Sequence, residues 1–371
     1  MIIEPQPFTQ TDDLPDPREP VGHMRFRFTG DASANDEHAL WDISACARLG
    51  DAIFVAGDEA HGVERLVPTD DEYGDHKTFA IKDFIDLSDP DEEMDIEGLS
   101  ISDGWLWITG SHSRTRPDPE DDGAEPDCID LEKLADLKDT RPRCILARIP
   151  LMYDEYGHAT PVRDDGKRHA GIVRQREDHG SKLKRYLAED PLIGPSCAMA
   201  AKEGGLDIEG IAAHGERVAL GLRGPTVQTY AVLVEPTIKP KKSGKLHLPK
   251  KPLIRLLDLG GLGIRDLLVE DASNDLLILA GPTQDLDGRC AIYRWTDWAK
   301  EPPEHETDVR VHRPERLFDL PVKLHKDHPE GIEFWDDEEG KRHLLVFYDS
   351  PNPERLDAEE STILADLFAL D

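Results

Sequence analysis

The sequence predicts an all-β chain wound as a β-propeller, and two observations carry that prediction. First, five short stretches say nearly the same thing: Asp42-Ile43-Ser44-Ala45-Cys46, Asp95-Ile96-Glu97-Gly98-Leu99, Asp207-Ile208-Glu209-Gly210-Ile211, Gly263-Ile264-Arg265-Asp266-Leu267 and His328-Pro329-Glu330-Gly331-Ile332. Each is followed, after a polar turn, by a second apolar run: 52–57, 105–110, 218–222, 276–281 and 344–348. A strand, tight turn and strand unit recurring along a chain marks propeller blades or solenoid coils. Second, an orphan strand pattern, Met24-Arg25-Phe26-Arg27-Phe28, precedes the first repeat, while the last repeat ends in the apolar run 362–370. Pairing the two closes a ring and removes an exposed sheet edge.

The repeat starts are 53, 112, 56 and 65 residues apart, compared with roughly 40 to 50 for a four-stranded blade. Five blades result, with six as the alternative. Third and fourth strands are read at 62–67 and 78–87, at 144–150, at 226–234 and 252–259, and at 290–295 and 309–320, from alternating or β-branched apolar patterns. The long second spacing predicts a partly helical insertion over about 111–206. It carries an acidic, proline-rich run from Arg116 to Pro126, a helix-like pattern at Leu131, Leu134 and Leu137, and a segment from Ser181 to Leu187. The whole of 1–371 reads as one domain with a flexible tail over 1–20.

With 77 acidic against 44 basic residues and a formal net charge of −33, a nucleic-acid partner is not expected, because such binding rests on Lys and Arg neutralising phosphates. Anionic membrane surfaces are disfavoured on the same ground, and no run approaches eighteen apolar residues. The five cysteines, Cys46, Cys128, Cys144, Cys197 and Cys290, form no C-x-x-C pair and no zinc spacing. A soluble, cytoplasmic protein with buried thiols is the expectation.

Side chains alternate across a strand, and the first strand of each propeller blade lines the central channel. Ser44, Glu97, Glu209, Arg265 and Glu330 are therefore expected to ring the axis. Three carboxylates in a narrow channel repel one another and need a proton, an arginine or a cation. Two readings stay open: a structural plug in which Arg265 satisfies the glutamates, or a metal site in which Glu97, Glu209 and Glu330 hold Ca²⁺ or Mg²⁺, hard cations that take oxygen ligands. Ends of the second strands, Asp58-Glu59, Ser111-His112-Ser113-Arg114, Arg223-Gly224-Pro225, Gly281-Pro282-Thr283 and Asp349-Ser350, are placed at one rim. There His112 is a candidate general base, and Arg114 and Arg223 candidates for meeting an anionic group. Lys239 to Lys251 reads as a basic, solvated loop. Phosphate-loop, nucleophile-elbow, dinucleotide and H-E-x-x-H motifs do not occur.

Taken together, the Glu-Gly repeats, Gly110-Ser111-His112-Ser113, Gly221-Leu222-Arg223-Gly224-Pro225 and Leu279-Ala280-Gly281-Pro282 resemble a bacterial family known as domain of unknown function 3616, over about residues 40 to 350. The inner strands are more distantly similar to phytase-like and gluconolactonase-like propellers, a resemblance that implies an axial calcium or similar ion. Asparagine ligands of the gluconolactonase-like kind have no counterpart, since Asn35, Asn274 and Asn352 all lie outside the inner-strand slots. The expected function is metal-assisted hydrolysis of a small anionic ester, of phosphoester or lactone type, with Glu97, Glu209 and Glu330 on the metal, Arg223 and Arg265 neutralising substrate charge and His112 moving a proton. The alternatives are a non-catalytic scaffold that binds a protein or small ligand through its rim loops, and glycoside hydrolysis by paired carboxylates.

Overall fold

The computed structural model describes residues 16–29, 42–57, 61–90, 92–116, 131–138, 141–176, 180–241, 243–284, 286–300 and 309–370. Residues 1–15 of the expected tail, Asp58-Glu59 and most of the acidic run after Arg116 lie outside them. Arg18, which the sequence places in that tail, is anchored: its N–H donates to Asp319 O at 2.8 Å and its guanidinium lies 4.2 Å from the Phe318 ring centre.

The principal strands are β1 (Gly22–Arg27), β2 (Ile43–Leu49), β3 (Ala52–Gly57), β4 (Gly62–Pro68), β5 (Tyr73–Ala80), β6 (Ile96–Ser102), β7 (Trp105–Gly110), β8 (Leu146–Tyr153), β9 (Gly171–Ile172) and β10 (Asp207–His214). They continue with β11 (Arg217–Val227), β12 (Tyr230–Glu235), β13 (Leu253–Leu257), β14 (Gly263–Glu270), β15 (Asp275–Gly281), β16 (Ala291–Trp295), β17 (Glu315–Asp319), β18 (His328–Asp336), β19 (Arg342–Asp349) and β20 (Thr362–Ala369). The arrangement is all-β and propeller-like. Antiparallel meanders run β2-β3-β4-β5, β6-β7-β8-β9, β10-β11-β12-β13, β14-β15-β16-β17 and β18-β19-β20-β1. Their first strands touch in cyclic order, β2 to β6, β10, β14, β18 and back to β2. An apolar cluster lies between each neighbouring pair of meanders.

The expected closure is present. β1 pairs with β20 in antiparallel register from Gly22↔Leu367 to Arg27↔Thr362, and Phe26 reaches Tyr73 of β5. Fully buried Phe26 packs against the rings of Tyr73 and Phe347, at centroid distances of 5.3 and 4.8 Å. Chain from two distant regions thereby shares one core.

Each inner strand carries a β-bulge at the same place. The register skips Ser44, Glu97, Glu209, Arg265 and Glu330, as in Ile208↔Leu222 followed by Gly210↔Gly221. A bulged residue is left out of the ladder and its side chain is re-aimed. The residue after it faces the next inner strand. A Cβ on Gly98 would lie 2.9 Å from Glu209 O, one on Gly210 3.1 Å from the Asp266 carbonyl carbon, and one on Gly331 3.2 Å from Cys46 Sγ. In the fourth repeat this slot holds Asp266, whose carboxylate accepts from the N–H of Ile332 on the next inner strand at 2.8 Å. Ser44 Oγ donates likewise to Ile96 O at 2.5 Å.

Several local expectations shift. The third strand of the insertion's meander is found, but its fourth is only the short β9, a length that periodicity does not reveal. The pattern at 309–320 divides: Val311–His312 pairs in parallel with β13 of the preceding meander, and β17 completes its own. The strand expected at 78–87 begins earlier and turns into a 3₁₀ helix at Ile81–Asp83. Helix α1 (Leu131–Ala135) buries none of its residues, so its leucines do not form a packing stripe. Helix α2 (Lys182–Ala188) does pack, burying Leu183 and Leu187, and is N-capped by Ser181 Oγ accepting from Lys184 N. Among the described residues no helix is long and apolar enough to cross a membrane.

Two predictions follow from the ring. Gly98→Ala forces the inner strands apart and should lower unfolding free energy by about 1–3 kcal/mol, while Gly22→Ala, with nothing within 4 Å, should change it by less than about 0.5 kcal/mol; urea denaturation compares them. Phe26→Ala should lose about 3–5 kcal/mol in the same assay, and a loss under about 1 kcal/mol would show that the β1 seam contributes little to the closed ring.

Candidate functional site

The bulges bring Glu97, Glu209, Arg265 and Glu330 to one cavity of about 110 Å³, which Arg223, within β11, also lines. Glu209, Arg265 and Glu330 are 3, 6 and 6% exposed, whereas Glu97 is half-buried. Ser44 occupies the equivalent bulge, but its hydroxyl is used in backbone hydrogen bonds to Ile96 O and Ala56 O.

Arginine organises the carboxylates. Arg223 Nη1 donates to Glu209 Oε1 at 3.0 Å, and Arg265 Nε lies 3.0 Å from Glu209 Oε2 without hydrogen-bond alignment. The Arg265 Nη2 group donates to Glu330 Oε1. Burial works most strongly against charge on Arg265, yet Glu209 and Glu330, with smaller help from Cys290 and Glu97, outweigh it and push the guanidinium pKa up. For Arg223 the balance of burial against Glu209 has the same outcome.

A second acidic layer lies two residues before the glutamates. Asp95 and Asp207 are buried. Burial and then Glu209 push Asp207 up to about 8 despite Arg223 at 3.8 Å. Burial raises Asp95 as well, against the pull of Arg143 Nη1 2.6 Å away. Beyond the glycine ring, the other end of the inner strands lines a second cavity of about 310 Å³ that Glu333 enters. Burial raises Glu333 to about 7 and holds Asp266 well above the carboxylate range.

The metal expectation does not fit this geometry. Among the described residues no three His, Cys, Asp or Glu side chains converge closely enough to hold an ion, and Glu209 and Glu330 are engaged by guanidinium groups. His112 is also placed differently from the expectation. It is fully buried with φ +56°, its ring Nδ1 meets Gly110 O at 3.0 Å, and it is not part of the cavity lining.

Sequence reasoning paired His328 with Glu330 on one strand face but gave it no role; the structure brings it to the cavity as well. Its Nε2 lies 3.4 Å from Asp287 Oδ1 and its Nδ1 3.8 Å from Asp349 Oδ2. Asp349, against the opposing effect of burial, raises the imidazole pKa, with a further contribution from Asp287. The signal was present: His328 stands in the repeat slot that Asp95 and Asp207 fill elsewhere.

No curated protein matches this chain. Its fold can be overlaid on several solved structures at low similarity. An exo-1,5-α-L-arabinanase from a bovine ruminal metagenomic library shares 9% identity at a TM-score of 0.38, covering 93% of this chain and 96% of that one. Glutaminyl cyclase of Myxococcus xanthus gives 9% and 0.36, with 95% and 100% covered. The β-propeller domain of Cps50 (Swd1) from Myceliophthora thermophila gives 8% and 0.33, with 96% and 100% covered. At such scores the fold rests on the strand pairing described above. The sequence itself matches one family model over residues 42–366, and the chain thus belongs to the family described as protein of unknown function, DUF3616.

Proposed function

We propose that the chain is a five-bladed propeller that hydrolyses a small ester in its axial cavity by general acid–base catalysis. The observation that carries this reading is the delivery, by equivalent bulges, of three carboxylates and a guanidinium to a cavity that also receives a histidine flanked by carboxylates. The lining holds six carboxylates, Glu97, Glu209, Asp287, Asp327, Glu330 and Asp349, against Lys202, Arg223, Arg265 and Lys323. That balance favours a neutral ester of lactone type over a phosphoester. The four cysteines among the described residues are buried thiols outside any disulfide, in accord with the cytoplasmic placement included in this reading.

Half-buried Glu97 is assigned as the base that takes a proton from water, whose oxygen then bonds to the acyl carbon. Negative charge gathers on the carbonyl oxygen, where Arg223 and Arg265 stabilise it, as fixed charges in a water-poor site do. The C–O bond to the leaving alcohol breaks as the His328 imidazolium, whose pKa Asp349 and Asp287 raise, donates its proton to the departing oxygen. General acids and bases of this kind contribute about 10² to 10⁴ in rate.

One observation favours the other reading, a non-catalytic scaffold: Arg265 ties Glu209 to Glu330 across the axis as a plug would. Turnover separates the two. Wild-type protein should hydrolyse 4-nitrophenyl acetate or a simple δ-lactone, with His328→Asn and Glu97→Gln each reducing the rate by about 10²-fold or more. No turnover of either ester, or turnover indifferent to both substitutions, would sink the enzyme reading.

Proton accounting at the axis adds a further prediction. Asp207, Asp266 and Glu333 keep their protons to higher pH in the folded chain than in the unfolded one, so folded protein binds more protons above about pH 4 and stability declines as pH rises. The decline extends through about 7 for Glu333 and about 8 for Asp207. His328 acts in the same direction, since the stability from its raised pKa is lost as pH rises through the folded value. The urea midpoint should therefore fall from about pH 5 to about pH 9, and Asp207→Asn should flatten the upper part of that fall. A midpoint that climbs across the range would contradict the assignment.

A further inference from the structure

On the outer flank of the second meander, away from the axis, a groove of about 550 Å³ gathers Trp105, Arg148, Lys167, Arg168, His169 and Lys241. The fold builds it from two regions. Trp105 and Arg148 sit on adjacent strands β7 and β8, and the loop after Lys239 is seated against the other side, where a Cβ on Gly244 would come 2.5 Å from Ala170 O. Arg148 lies over the Trp105 ring at 3.8 Å and 5.3 Å from the centre of Trp107.

These cations differ in what they face. Arg168 is used internally: it pairs with Asp165 at 2.6 Å and donates to Gly104 O and Leu151 O. His169 pairs with Asp164 at 2.6 Å. Arg148, Lys167 and Lys241 have no carboxylate within ion-pair distance among the described residues, and the Nε of Arg148 is buried without a hydrogen-bond acceptor. A partly buried guanidinium with an unmet donor is unfavourable unless an acceptor arrives, and here 77 acidic residues were available to supply one. Stacking on indole fixes the plane of the guanidinium and leaves its edge for a bidentate oxyanion.

We propose that this groove is a binding site for a multiply charged phosphate group, held by Arg148 with Lys167 and Lys241. Phosphate suits it better than a single carboxylate because three cations without an ion-paired carboxylate line the same groove. The site is separate from the axial cavity, and the proposal does not depend on hydrolase activity. At physiological ionic strength the screening length is about 8 Å, so repulsion from the distant acidic surface is weak beside these direct contacts.

Isothermal titration calorimetry of the whole chain with pyrophosphate, adenosine diphosphate and acetate tests it. Both phosphates should bind and acetate should not; equal affinities would assign recognition to the phosphates alone, and tighter adenosine diphosphate binding would add contact with the groove's apolar wall. Arg148→Met should weaken binding by about tenfold or more, the worth of a charge-assisted hydrogen bond. Lys167→Ala/Lys241→Ala, on exposed side chains that do not support the fold, should weaken it similarly and lessen its salt dependence. Failure of both phosphates to bind, or binding unchanged in the double lysine variant, would overturn the proposal.

Discussion

Everything at the axis depends on a steric constraint: the inner strands approach so closely that the position after each bulge holds a small or specifically bonded residue, Ala45 in the first repeat. Glycine meets that constraint at Gly98, Gly210 and Gly331. Asp266 meets it by replacing contact with a hydrogen bond to Ile332 N. The bulge just before each of these positions is the compensating device. It releases one residue per strand from the ladder, allows the strand to bend and turns that residue toward the cavity. Packing and site are consequently one arrangement, since the residue that relieves crowding is adjacent to the residue that carries charge.

That arrangement creates an electrostatic problem that arginine resolves. Glutamates brought together by strand geometry would each favour a proton in a desolvated channel. Arg265 stands between Glu209 and Glu330, and Arg223 on the far oxygen of Glu209, so each of these carboxylates meets a guanidinium. Asp207 lacks an equally close cation, its nearer guanidinium being 3.8 Å away, and burial dominates there. Two carboxylates separated by a single residue in sequence therefore sit in different surroundings, Glu209 bonded by a guanidinium and Asp207 governed by burial.

Much of this was legible in the sequence because it was repeated. Glu-Gly dipeptides in a fixed apolar frame gave away the inner strands, and the orphan pattern around Phe26 with the unpaired run at 362–370 gave away the closure. Convergence of Glu97, Glu209, Arg265 and Glu330 on the axis was expected from strand alternation and the ring, whereas Arg223 was expected only at the rim. What remained hidden depends on distances between segments far apart in the chain. The bond from Arg223 to Glu209, the burial of His112, and the meeting of His328 with Asp287 and Asp349 are all of this kind. Short pairings such as β9, or Val311–His312 joining the preceding meander, span too few residues for any periodicity to register.

The distribution of charge follows the same logic. Several arginines are committed to buried carboxylates: Arg217 and Arg255 to Glu235, Arg355 to Asp327 and Asp366, Arg265 to the axial glutamates. Buried pairs of this kind hold neighbouring strands in register, because breaking one leaves an uncompensated charge in the interior. With cations drawn inward, the excess of acidic side chains is carried mainly by the surface, which favours solubility without bearing on the fold. Against such a surface, three basic side chains without an ion-paired carboxylate gather beside Trp105, and a bound anion would balance that local charge.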